Sequence, residues 1–258
     1  MKLISLNAWG GKLHTSFIDF IKLHSKDTDI FCFQEVYKNP AKKQSYKDFR
    51  INLFDDLSEI LEGFNGYFAS CQDNYVLSSN LQEKVDFDIS WGLTTFVRKT
   101  LSVKSSGDFF VFREKNGLIA GDLTTLPRNV QYVDLEMDDK KFIVLNIHGV
   151  WTSGRKIDTP SRIEQSQKII EFLKDKVQGK ILVGDFNLDI NTKSIQMLEG
   201  IMDNLIRVYN IKTTRNKFFP WEDKYADFTF VSKEIKVIDF QVPNLEVSDH
   251  LPMILEFS

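Results

Sequence analysis

Cysteine is scarce: the 258 residues hold 2, Cys32 and Cys71. Two thiols cannot build a disulfide framework, and neither belongs to a metal-spaced pair. Cys32 alternates within Ile30-Phe31-Cys32-Phe33 and reads as a small buried hydrophobe. Proline is also scarce, at 6 residues. No Pro/Gly-rich linker, internal repeat or low-complexity tract divides the chain, so one domain over residues 1–258 is expected. An excess of either charge is missing too, since 33 Lys and Arg nearly balance 36 Asp and Glu for a formal net charge of −3. Tight duplex binding ordinarily needs a basic excess, because phosphate neutralisation supplies most non-specific affinity. A local basic patch is the remaining route to nucleic acid. No apolar run approaches the roughly 18 residues of a membrane span. Residues 1–6 are too short for a signal-peptide core, so a reducing cytoplasm is the expected compartment. A monomer with no protein partner is expected.

What is present is ordinary in amount and ordered in arrangement. Hydrophobic residues make up 42% and include 22 Phe, enough for a substantial aromatic-rich core. Short apolar runs at 2–6 and 30–34 read as buried strands, each followed by helical spacing, at 16–23 and at 49–61. In the second helix Leu53, Leu57, Ile60 and Leu61 share one side. β-forming runs follow at 67–70, 91–98, 101–105, 118–125 and 130–137. Asp138-Asp139-Lys140 is the expected turn of a hairpin joining 130–137 to 142–148. Residues 71–90 read as a long surface loop. Phe109-Phe110-Val111-Phe112 reads as a buried strand, with a membrane-touching loop as the alternative.

Further on, Thr159-Pro160 is a helix start, with Thr159 as cap and Ile163, Ile169, Ile170 and Leu173 as the apolar stripe. Strands at 180–184, 228–231, 235–240 and 251–257 and a short helix at 194–198 complete the pattern. Many strands with few helices predict two packed sheets flanked by helices.

Polar clusters recur where apolar runs stop. Asn7 and Glu35 are one pair: a carboxylate and an amide oxygen suit a hard divalent cation, although Asn7 could equally cap a turn and Glu35 face solvent. Asp185 and Asn187, in Gly184-Asp185-Phe186-Asn187, would point the same way if strand geometry continued past Asp185. They could then position a water and hydrogen-bond a phosphate oxygen; an Asx-rich turn is the alternative. His148 ends a strand and His250 begins one, and a histidine held by a carboxylate stays oriented and can remain cationic. Asp227 is a candidate for that partner.

Taken together, Leu6-Asn7, Gln34-Glu35-Val36, Asn146-Ile147-His148, Gly184-Asp185-Phe186-Asn187, Ala226-Asp227-Phe228 and Ser248-Asp249-His250 resemble the signatures of the endonuclease/exonuclease/phosphatase superfamily of metal-dependent phosphoesterases. The resemblance runs from about residue 2 to residue 257 in family order. It implies an α/β (α+β) fold, a four-layer α/β/β/α sandwich of two mixed β-sheets flanked by helices. It also implies Glu35 as the main ligand of Mg²⁺, or of Mn²⁺, with Asn7 and Asp249 near the metal. Asp185 would orient or deprotonate the attacking water, and Asn187 would bind a phosphate oxygen. His250, oriented by Asp227, would stabilise developing charge, and His148 would stand beside the phosphate.

The expected reaction is phosphodiester hydrolysis by metal-assisted attack of water, with nucleic acid as the leading substrate. Arg155, Lys156 and Arg215 could contact phosphates, with Trp151 or Trp221 as stacking faces; solvated loop charges are the alternative. A phosphatase or phospholipase acting on inositol phosphates or sphingolipids is the runner-up. A non-catalytic scaffold retaining the fold is the rival from another class.

Overall fold

Lys2–Asn7 (β1) and Ile30–Lys38 (β2) pair in parallel across the helix His14–His24 (α1). Their near-continuous apolar runs are explained by burial on both faces. Ile4, Leu6, Phe31 and Phe33 face Phe17 and Ile21 of α1, whereas Leu3 and Cys32 belong to the core shared with the second sheet. The computed structural model describes residues 1–40, 43–78, 81–137 and 140–258. The expected turn at Asp138-Asp139 lies outside them. The strands meant to flank it do pair antiparallel: Arg128–Met137 (β8) with Lys140–His148 (β9).

The remaining strands are Phe64–Asp73 (β3), Tyr75–Ser78 (β4), Leu81–Lys84 (β5), Ser90–Arg98 (β6), Ser102–Phe112 (β7), Gly179–Asp185 (β10), Asp203–Asn204 (β11), Asp227–Val231 (β12), Val237–Gln241 (β13) and Met253–Phe257 (β14). One mixed sheet runs β13-β14-β1-β2-β6-β3 and the other β11-β12-β10-β9-β8-β7. Leu53–Ile60 (α2) joins α1 over the first sheet; Pro160–Lys174 (α3), Lys193–Glu199 (α4) and Leu205–Val208 (α5) lie over the second. This is the expected α/β/β/α sandwich. The sheets are tied by Gln34, whose Nε2 donates to Asn146 Oδ1 at 2.7 Å, and by Asn146 Nδ2, which donates to the carbonyls of Phe33 and Thr94. Buried amides that bond across the sheets in this way fix one sheet against the other.

Several expectations need correction. Residues 71–90 are not a long loop, because β3 runs on to Asp73 and β4 and β5 pair as a hairpin. Residues 118–125 form no strand; they hold an isolated Ile119–Asp122 bridge and a 3-10 turn capped by Asp122. The helix expected over 49–61 starts only at Leu53, because Phe49 is spent on a bridge to Tyr46. Residues 102–105 and 109–112 belong to a single bulged edge strand, β7, and Phe109 stacks on Phe172 of α3 at 4.4 Å. The membrane-loop alternative therefore has no loop to stand on. Thr159 caps α3 as expected, accepting from the Arg162 N–H, but the buried face is Arg162, Gln165, Ser166, Ile169 and Leu173. Ile163 and Ile170 are only partly covered.

Register then does the placing. Asp185 at the end of β10 lies opposite His148 on β9 and opposite Asp227 on β12, while Asn7 lies opposite Gln34. Gly184 is required just before it: its φ is +133°, and a Cβ there would meet the Ile147 carbonyl oxygen at 2.1 Å.

Candidate active site

Asp185 is the hub. The backbone leaves extended geometry here, with Asn187 at φ +55°, and the Asn187 N–H donates to Asp185 Oδ1 at 2.8 Å. The Asx turn is thus what forms, and continued strand geometry is not. The turn keeps Asp185 and Asn187 adjacent and sends Phe186 into the core, where it is 0% exposed. Asn187 Oδ1 in turn accepts from Lys156 Nζ at 2.9 Å.

Glu35 reaches the same place by a different device. It does not stand at the exit of β2 but inside the strand, at a bulge where the pairing with β6 shifts between Phe33 and Val36, with φ +56°. A bulge re-aims one side chain out of the ladder, and left-handed backbone in a non-glycine residue is strain held by its surroundings. Asn7 Nδ2 bridges Glu35 Oε1 and Asp185 Oδ2, both at 3.1 Å, while its Oδ1 accepts the Trp9 N–H at 2.9 Å. Asn7 therefore caps a turn and also faces the carboxylates, but with its amide hydrogens rather than its oxygen. His148 Nε2 lies 3.8 Å from Glu35 and 3.7 Å from Asp185.

His250 enters from just before β14. Its Nδ1 faces both carboxylate oxygens of Asp227, at 2.8 and 2.9 Å, which makes Asp227 and not Asp249 its partner. Its Nε2 lies 3.6 Å from Asp185 Oδ2 and in contact with Arg215 Nη1. With Nδ1 turned to Asp227, Nε2 is the ring nitrogen that faces Asp185. Asp249 is held by Arg215 at 3.1 Å, and Ser248 Oγ donates to the Asn7 carbonyl at 2.7 Å, fastening the last segment to the end of β1.

The loop cations divide. Lys156 and Arg215 are 7% and 8% exposed and belong to the cluster; Arg155 is exposed, so the solvated-charge alternative holds for it. Trp151 is partly covered and Trp221 is 72% exposed. Sequence patterns gave no hint of Arg162, 1% exposed, whose Nε donates to the Val150 carbonyl and whose Nη1 donates to those of Arg155 and Ile157. It moulds the loop that carries Lys156. Arg128 and Trp91, beside His148, were also missed: one reads as a surface charge at a strand start, the other as ordinary core.

Charge is crowded here, and the crowding shifts protons. Burial alone would raise the Asp185 pKa, but His250, Lys156 and Arg215 carry it well below the usual carboxylate range. Glu35 is pushed up, first by burial and then by Asp249. Burial, then Arg128, holds His148 well below the usual histidine value, so it is neutral. Burial and Arg215 oppose charging of His250, yet Asp227, Asp249 and Asp185 together raise its pKa. Burial, then Arg215, lowers Lys156 from 10.5 to about 8. A lysine with a lowered pKa is cationic below that value and neutral above it. If its charge is used, kcat/KM should fall about tenfold per unit above about pH 8, and Lys156→Arg should move that limb upward. A profile flat to about pH 10 would take Lys156 out of the reaction.

The donor set fits a hard divalent cation. Glu35 is partly buried beside Asp185 and Asp249, like charges that a positive ion would relieve, and all are oxygen donors. Among the described residues, Asp185, Asp227 and His250 also lie close enough together to hold an ion. Asp227 is already spent on His250 Nδ1, which leaves Glu35 as the least engaged carboxylate.

A family model described as the Endonuclease/Exonuclease/phosphatase family matches residues 4–250. Among solved structures, mannosyl-6-phosphatase Bt3783 of Bacteroides thetaiotaomicron VPI-5482 aligns with a TM-score of 0.72 at 19% identity, covering 100% of this chain and 99% of that one. The human Nocturnin catalytic domain aligns at 0.67 and 18% identity, covering 100% and 93%. A humanized D. rerio TDP2 aligns at 0.71 and 13%, covering 100% and 98%. No curated protein matches. At such identities the structures show a shared fold, and the family is carried by the match along the chain. Members of this family are hydrolases acting on phosphoesters and are generally dependent on divalent metals. The chain belongs to the Endonuclease/Exonuclease/phosphatase family.

Proposed function

We propose that this protein hydrolyses a phosphate ester by attack of a water lined up on Asp185. The observation that carries this reading is the ring of groups around one buried, ionised carboxylate: Asn7 at 3.1 Å, the Asn187 N–H at 2.8 Å, His250 at 3.6 Å and His148 at 3.7 Å. Phosphoryl transfer needs an in-line water, positive charge on the equatorial oxygens and help for the departing oxygen. Asp185 accepts a hydrogen bond from the water; its depressed pKa makes it better at orienting the water than at taking its proton outright. Lys156 and Arg215 supply positive charge, and Asn187 Nδ2, which donates to the Gly149 carbonyl at 3.3 Å, would turn from it to a phosphate oxygen. His250, held on Nδ1 by Asp227, presents Nε2 on the same side as Asp185 Oδ2 and stabilises developing charge there. Glu35, flanked by Asn7 and Asp249, would hold Mg²⁺, or Mn²⁺ in its place. The bound ion would supply Lewis-acid charge stabilisation.

For the substrate, the depth of the site favours a phosphate at an accessible end of a small molecule. Lys156, Arg215 and His250 are all at most 8% exposed. A phosphodiester within nucleic acid is the second reading, favoured by the exposed Trp221, six residues after Arg215 in the chain, as a stacking face for an unpaired base. The net charge of −3 gives no help to duplex binding. Glu35, Asp185, Asp227 and His250 are all present, against the scaffold alternative.

Hydrolysis of p-nitrophenyl phosphate and bis-p-nitrophenyl phosphate, with Mg²⁺ or with EDTA, tests the reading. Cleavage is expected with Mg²⁺ and should vanish with EDTA. Cleavage untouched by EDTA would remove the metal, and a preference for the diester would favour the second reading.

A further inference from the structure

Arg128 opens β8 and is 4% exposed, yet its Nε and Nη1 have no hydrogen-bond partner among the described residues. Its guanidinium lies 5.3 Å from the centre of the Trp91 ring, and that ring lies 5.3 Å from the ring of His148. Trp91 Nε1 and His148 Nδ1 are buried and unpartnered as well. Consecutive members of one row of ring contacts thus carry unused polar atoms, and the row ends on a histidine 3.7 Å from Asp185. Native proteins rarely leave so many buried polar atoms idle in one place unless something else uses them.

Among the described residues, no carboxylate forms an ion pair with Arg128. The carboxylates that act on it are Glu35 and Asp185, both engaged elsewhere in the site. Cys71, also nearby, has its thiol pushed up to about 12 by burial and is neutral. A buried cation with free donors, backed by an indole face and joined to the reacting site, is matched to a ligand oxyanion. A terminal phosphate carries close to two negative charges near neutral pH, since its second pKa is about 6, whereas a diester phosphate carries one.

We propose that Arg128, Trp91 and His148 form an anion subsite that reads the second charge of a terminal phosphoryl group, so that the site prefers phosphomonoesters to phosphodiesters. This rests on the hydrolysis reading above and narrows its substrate class.

The test compares wild type, Arg128→Met and Arg128→Lys in Mg²⁺ by two routes: kcat/KM for p-nitrophenyl phosphate and bis-p-nitrophenyl phosphate, and calorimetric binding of inorganic phosphate. Arg128→Met should lose about 30-fold on the monoester, change the diester by less than about threefold, and weaken phosphate binding by a factor similar to the monoester loss. Arg128→Lys keeps the charge without the planar fork and should fall between; should the Met variant not fold, Arg128→Lys carries the same comparison. Equal losses on both esters, or unchanged phosphate binding, would overturn the subsite. If wild type cleaves neither ester but binds phosphate in an Arg128-dependent way, the hydrolysis reading fails and the subsite stands. If wild type binds no phosphate, the subsite fails.

Discussion

Asp185→Asn should cut turnover by at least about 1,000-fold while lowering Tm by less than about 5 °C. Asparagine keeps an oxygen that can still accept the Asn187 N–H at the Asx turn, so the local backbone survives. What disappears is the negative charge against which Lys156 and His250 are set and on which the water would be aligned. The rate loss is large because the variant keeps the shape of the site and loses the carboxylate that lies 3.7 Å from His148 and 3.6 Å from His250. Initial rates on the better of the two nitrophenyl esters, with a thermal melt of the same preparation, give the answer. Turnover within tenfold of wild type would show that another group orients the water. A collapse of Tm would make Asp185 a structural anchor first.

Arg162→Ala should be the most destabilising single change considered, at about 3 kcal/mol. Arg162 is 1% exposed and its guanidinium serves the carbonyls of Val150, Arg155 and Ile157. Alanine removes the guanidinium donor from the carbonyls of Val150 and Ile157, leaves that of Arg155 with the Ile157 N–H alone, and opens a void behind the loop. The loss also has a chemical readout, because that loop holds Lys156 against Asn187. With the loop loosened, Lys156 gains water, and the alkaline limb expected near pH 8 should move upward. Urea unfolding and a pH–rate profile measure the two effects. A stability loss under about 1 kcal/mol would mean that water replaces the guanidinium easily.

The positions of Asn7, Asp185, Asp227 and His250 could be read from the sequence because each terminates or immediately precedes a short apolar run, and strand ends converge on one edge of a sandwich. Glu35 was recognisable as a residue but not in its setting. A bulge inside β2 leaves no mark in an apolar pattern that continues through Val36 and Tyr37. The Asx turn at Asp185 and Asn187 was weighed as a rival to a chemical role, yet it is the device that holds the two side chains together. The least legible features were the buried cations. Arg162 lies on the buried face of α3, off the stripe that Ile163 and Ile170 mark in the sequence, and only the carbonyls of a folded loop explain why a charge points inward. Arg128 stands at a strand start, where charged residues are usually solvated. Residues 118–125 illustrate the opposite error: β-forming side chains without a neighbouring strand make a turn.

The pairing of β1 with β14 joins Lys2 to Glu256 and Ser5 to Met253. During synthesis, β1 therefore waits for most of the chain before one of its two neighbours exists, roughly ten seconds or more at ordinary translation rates. Its unpaired edge is sticky throughout that time. Closing so long a loop comes late and slowly in folding, so the first and last strands should lock together only after the rest of the sandwich is formed. Ser248 fastens to the Asn7 carbonyl in the same event, and His250 arrives beside Asp185 with it. Nascent or truncated chains lacking residues 248–257 would thus be inert as well as prone to aggregate, and the appearance of activity would itself time the final step of assembly.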